Sequence, residues 1–188
     1  MKIENYIHNI QTNLICTHQG LLGWLMEKEA IKHYRPADGG WTILEILEHV
    51  SLTSHFLLKL IDKAADKAMR NVNDLSLEKE LAEFNFDLNK LYNIGRHKSF
   101  EWIRPEHMEP TGHKDELVIK QTLTDQFLRC MNHLSNLKHG EGLLYKTTMS
   151  VDNLGKLNVY EYIYFLIRHA IRHLVQMEEN KTEFIRLC

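Results

Sequence analysis

Proline is nearly missing from this chain. Only Pro36, Pro105 and Pro110 occur, and between them apolar residues recur at helical spacing almost throughout. A chain with so few helix breakers folds by packing helices on helices. Ile3, Ile7, Ile10, Leu14, Leu21 and Leu25 form one stripe. They predict a first helix over about residues 2–29, stopping before the loop composition Arg35-Pro36-Ala37-Asp38-Gly39-Gly40.

The second helix has a marked start. Thr42-Ile43-Leu44-Glu45 is a capping box, in which a hydroxyl and a carboxylate each satisfy a backbone amide of the first turn. Trp41 before the cap and Ile46 within the helix have the spacing of a hydrophobic staple. Ile46, Val50, Leu57 and Ile61 carry the apolar face to about residue 68. Leu77, Leu81, Phe84, Leu88 and Leu91 predict a third helix ending near Gly95. A long connection follows from His97 to about Glu116, holding Pro105, Pro110 and Gly112, and could form a lid. Leu123, Phe127, Met131, Leu134 and Leu137 mark a fourth helix closed by Gly140, with a short extended piece expected over 143–149. The last helix starts at a second box-like sequence, Asn158-Val159-Tyr160-Glu161, and runs to about residue 183. The expected fold is all-α: a four-helix bundle with an accessory helix and a long connecting loop.

The 188 residues suit one domain spanning 1–188. Hydrophobic residues at 44% against 26% charged exclude a disordered chain. A formal net charge of −2 gives no basic footprint for nucleic acid or an anionic membrane, so neither is expected as partner. No uncharged apolar run approaches the roughly 18 residues of a spanning helix. Cys16, Cys130 and Cys188 are odd in number and form no CxxC, which argues against a disulfide framework and a thiolate zinc site. With no apolar run near the N-terminus, a cytoplasmic location is expected.

Histidine is the anomaly, with 12 in the chain. His169 and His173 are four apart on one helix face, on the stripe Ile163, Leu166, Ala170 and Met177. Two imidazoles so placed can share one metal ion; the same spacing also serves two core-edge histidines bonded to side chains or water. The pair is not HExxH, because Ala170 stands where that motif has its Glu. A third ligand must come from elsewhere, and His49, two turns into the second helix, is the best placed. His55 lies about 240° further round that helix and should face away. Di-iron bundles need Glu-x-x-His, and no Glu here precedes a His by three. Three neutral imidazoles with an open position is a catalytic rather than a structural zinc arrangement.

Two segments resemble signatures of the DinB/YfiT-like superfamily. Gly40-Trp41-Thr42-Ile43-Leu44-Glu45-Ile46-Leu47-Glu48-His49-Val50 resembles W-[ST]-x-x-E-[IL]-L-x-H-[LV], and Arg168-His169-Ala170-Ile171-Arg172-His173-Leu174-Val175-Gln176 resembles the closing H-x-x-x-H-x-x-Q helix. Pro105-Glu106-His107-Met108-Glu109-Pro110-Thr111-Gly112 looks like the proline-containing connection of those proteins. The resemblance implies a four-helix bundle with His49, His169 and His173 as ligands of one divalent metal ion; imidazole ligands suit zinc, nickel, iron or manganese alike. It also implies a homodimer, and activity as a thiol S-transferase with a low-molecular-weight thiol cosubstrate, or as a hydrolase. The competing reading is a non-catalytic metal-binding bundle for stress response or ligand sensing. A metal-free bundle is the third.

Gln176, one turn after His173, and Glu45, one turn before His49, are candidates for support around the metal. Trp41 reads as a staple and packing residue ahead of a substrate contact, and Arg168 and Arg172 as facing solvent or a partner, with holding an anionic substrate as the lesser alternative. His107 and His113 read as surface residues unless the connection closes over the site, and Cys130 reads as core. With no GxSxG, GxxxxGK[ST] or GxGxxG, the nucleophile must be activated by metal or brought by a cosubstrate.

Overall fold

The computed structural model describes residues 2–99 and 105–187. Cys188 and the part of the long connection over 100–104 lie outside them. Four long helices, α1 (Ile3–Trp24), α3 (Ile43–Asn71), α5 (Glu116–Asn136) and α6 (Val159–Leu187), make the bundle. Two short helices, α2 (Glu29–Lys32) and α4 (Leu77–Glu83), lie between them, and an antiparallel hairpin, β1 (Lys146–Met149) with β2 (Gly155–Asn158), precedes α6. In the hairpin Lys146 faces Asn158 and Met149 faces Gly155. Each long helix packs on two others: α3 on α6 and α5, and α1 on the same two. The arrangement is the four-helix bundle expected from the periodicity, and the extended piece is real, though Leu143 itself lies in the preceding helical turn.

Both boxes form. Thr42 Oγ1 accepts from the Glu45 amide at 3.3 Å, and Glu45 Oε2 accepts from the Thr42 amide at 2.8 Å. At α6, Asn158 Oδ1 accepts from the Glu161 amide at 3.0 Å while Glu161 Oε2 accepts from the Asn158 amide at 2.9 Å. The two helices that carry the histidines are therefore fixed in register at their first residues. Gly140 takes a positive φ of 106° beyond α5, where a Cβ would press on Leu81.

Two helices stop short of expectation. The first helix stops at Trp24, and α2 is a separate turn. The third stops at Glu83 rather than near Gly95. There Phe84 and Phe86, in extended chain, reach the same side and close edge-to-face on Tyr6, each with ring centroids 5.5 Å away. A spacing of 4, 3, 4, 3 cannot tell this aromatic clasp from a helix, because Leu88 and Leu91, which follow, pack on the core in either case. Leu91 and Ile94 enter the core from single 3₁₀ turns.

The core has two parts. One gathers Tyr6, Ile10, Leu58, Ile61, Tyr160, Ile163 and Phe165; the other gathers Leu21, Ile43, Ile46, Leu47, Ala170 and Met177. Cys130 is buried in the first, as expected, and burial pushes its thiol up to about 12. Among the described residues no helix is long and apolar enough to cross a membrane. Replacement Thr42→Ala should cost about 1 kcal/mol of stability, the usual weight of an N-cap. Urea denaturation that finds the variant as stable as the parent would show that the box does not fix the start of α3.

Candidate metal centre

The start of α3 lies beside the later turns of α6: Asn180 Nδ2 donates to the Trp41 carbonyl at 2.8 Å. Further along, Leu57 and Leu60 of α3 share a cavity with Phe165 and Tyr162 of α6. The two helices therefore run in opposite directions. Between these points their seam brings His49 together with His169 and His173.

The three rings meet in the interior. Centroids stand 5.2 Å (His49–His169), 4.9 Å (His49–His173) and 4.6 Å (His169–His173) apart, and each residue is at most 5% exposed. One ring nitrogen from each falls within 4.8 Å of the others. Nε2 of His169 and Nε2 of His173 are 3.2 Å apart. Two nitrogens bound to one tetrahedral zinc at about 2.0–2.1 Å stand about 3.3–3.4 Å apart, so the donor set fits such an ion. His55 is exposed on the far side of α3, as its angular position requires.

The surrounding acceptors select the tautomers. His49 Nδ1 lies 2.7 Å from the Met108 carbonyl, which can only accept, so a proton sits on Nδ1. His173 Nδ1 lies 2.9 Å from Gln176 Oε1 and donates to it, leaving Nε2 unprotonated. Burial, with the neighbouring imidazoles, pushes His173 down to about 3 and His169 well below the usual histidine range. Both are neutral at physiological pH, the form a metal needs.

Gln176 thus holds one ring of the cluster. Glu45 does not: its Oε2 caps Thr42 and its Oε1 accepts from Arg35 Nη2 at 2.7 Å. The carboxylate that serves the site is Glu48, only 3% exposed, which the sequence reading overlooked. Its Oε1 accepts from Thr111 Oγ1 at 2.9 Å and its Oε2 from the Gly112 amide at 3.0 Å. Gly112 has φ +71°, a turn that glycine accepts without strain. Glu48 therefore anchors the connection three residues beyond Met108, whose carbonyl holds His49. The sequence signal was slight: an acid next to a candidate ligand is ordinarily a solvated neighbour.

Residues 105–112 of the connection pack over the site. His107 remains exposed but packs edge-on against Phe56 at 4.2 Å. Trp41 packs among the second core cluster as expected and also tilts against His49 at 4.7 Å, lining the cavity. Arg168 and Arg172 are half-buried rather than turned to solvent. They donate to the carbonyls of Tyr92 and Arg96, each at 2.9 Å, and tie α6 to the segment before the connection.

The cavity beside the triad has a volume of about 880 Å³. Its polar end carries His97, Arg172 and Gln176, and among the described lining residues Asp152, in the hairpin, is the only carboxylate.

An α-helical bundle with three buried imidazoles converging beside a cavity is the architecture of a helical protein able to hold one metal ion. The chain belongs to the DinB superfamily, whose family model matches residues 28–177. That span takes in α3, the connection, α5 and α6 as far as the last supporting residues of the site. No curated protein matches the chain, and no solved structure does.

Replacing Glu48 by Ala should weaken metal affinity about tenfold, the low end for loss of a supporting contact, whereas Glu45→Ala should cost cap stability without that loss. Competition with a chromophoric chelator measures both; equal affinities would separate Glu48 from the site. Metal-free protein should lose stability as pH falls from about 6.5 towards 3, because the unfolded chain takes up protons that His173 refuses while folded. The urea midpoint of metal-free His173→Leu should fall less steeply over that window, and parallel slopes would contradict the assignment.

Proposed function

We propose that the protein is a metal-dependent enzyme of the thiol S-transferase or hydrolase type, with one divalent ion held by His49, His169 and His173. The observation that carries this reading is the convergence of three buried imidazoles, two of them held by outer hydrogen bonds with the proton on Nδ1. When bound, a divalent ion supplies Lewis-acid activation, lowering the pKa of a water or small thiol that reaches its open side.

The chain's own residues do the rest. His49 and His173 present Nε2 because the Met108 carbonyl and Gln176 Oε1 keep the proton on Nδ1. Arg172 and His97 give the polar end of the cavity a cationic and a titratable group, suited to a neutral or anionic head rather than a cation. No carboxylate stands beside the imidazoles among the described lining residues. That favours a nucleophile whose own pKa is lowered over one deprotonated by a neighbouring side chain. With this reading go the finer expectations of a cytoplasmic homodimer and a low-molecular-weight thiol as cosubstrate.

Elemental analysis of the purified protein should find about one equivalent of a divalent metal, the content of a single three-histidine site. His49→Ala and His169→Ala should lose it, while His55→Ala should keep it. Equal metal content in the His49 and His55 variants would remove His49 from the ligand set. A metal-loaded protein that turns over neither thiol-transfer nor ester substrates would support the ligand-sensing alternative.

A further inference from the structure

The helical walls of the cavity change in polarity along the seam. Beyond the imidazoles, towards the start of α6, the helices wall it with Leu57 and Leu60 from α3 and Phe165 and Tyr162 from α6, and the hairpin closes it with Met149 and Val151 beside Thr148, Ser150 and Asp152. Phe165 and Tyr162 are each about 1% exposed and form a fixed floor, while Leu60, at 39%, stands at the rim. The hairpin is fastened there by Tyr162, whose hydroxyl donates to the Thr148 carbonyl at 2.9 Å. This bond places Val151 and the turn across the far end and leaves the Tyr162 ring, not its hydroxyl, as wall.

Thr53 marks the change of character. It lies one turn beyond His49, lines the cavity and is 5% exposed. Among the described residues its Oγ1 has no hydrogen-bond partner. A buried hydroxyl left unsatisfied is costly, and such a group beside a cavity points to a partner that arrives with the ligand. Past Thr53 the α3 wall offers only leucine. From His169 back to Tyr162 is seven residues of helix, about 10 Å at the α-helical rise. An extended chain of about eight carbons spans that length.

We propose that the substrate is an amphipathic electrophile: its polar reacting group lies at the three imidazoles beside Thr53, and its acyl or aryl tail of about eight carbons or fewer lies in the arm formed by Leu57, Leu60, Val151, Tyr162 and Phe165. The proposal rests on the metal reading above and adds the class of molecule. The walls do not distinguish straight from aromatic tails, and both share the chemistry of an apolar group that ends at the hairpin.

The test uses the zinc-loaded protein and a series of n-alkyl hydroxamates from acetohydroxamate to dodecanohydroxamate. Each has the same chelating head and a tail of different length. Affinity by isothermal titration should rise up to about fourfold with each added methylene, and at least about a hundredfold over the series. The gain should stop near eight carbons. Leu60→Glu and Val151→Glu, both at partly exposed positions and checked for folding by circular dichroism, should each cut the octanohydroxamate-to-acetohydroxamate affinity ratio by about tenfold or more.

A flat series in protein that holds zinc and binds acetohydroxamate overturns the tail subsite and leaves the metal reading standing. So does a ratio that survives both substitutions in folded protein. Octanohydroxamate that binds zinc-free protein as tightly as zinc-loaded protein also overturns the proposal, since the tail would then bind without its head at the imidazoles. Protein that holds no zinc and does not bind acetohydroxamate removes both readings together.

Discussion

Burying three imidazoles at one point of a helical bundle is costly unless every nitrogen has a role. Much of this structure answers that cost. A neutral ring still carries one donor and one acceptor, and neither can be left facing hydrocarbon. The seam of α3 and α6 meets the requirement for two rings by giving the donors to a main-chain carbonyl and to an amide oxygen. The remaining lone pairs then have one shared direction to face. Cap boxes at the starts of both helices, the glycine turn at Gly112 and the buried Glu48 all serve to keep that arrangement in place. The cluster and the connection over it are therefore parts of a single device.

The surroundings differ from those of a purely structural metal site. A structural site is closed by its fourth ligand and has no need of space beside it. Here a cavity continues from the imidazoles along the seam, with arginine and histidine at one end and, at the other, aromatic and aliphatic helical walls closed by the hairpin and its Asp152. Family membership goes with the helical-bundle fold; the asymmetry of the cavity is a property of this chain's own residues.

Much of this was legible in the sequence because it depends on short-range periodicity. The capping boxes, the fourfold spacing of His169 and His173, and the angular separation of His49 from His55 are all matters of helix geometry, and each appears in place. What escaped depends on contacts between distant segments. Phe84 and Phe86 leave the helix because Tyr6, far earlier in the chain, offers a better place for them. Glu48 and Glu45 are both acids within a turn of His49, and only the path of the connection over 108–112 decides which of them serves the site. Arg168 and Arg172 face inward for the same reason: carbonyls of the segment 92–96 come to meet them.

The acceptor for His49 belongs to the backbone at Met108, not to a side chain. Every residue type carries that carbonyl, so position 108 can change identity without removing the support. An insertion or deletion between residues 108 and 112 is another matter, because it would shift the carbonyl relative to the Glu48 anchor. Around this site the length of the loop, more than its lettering, is what descent with variation must preserve.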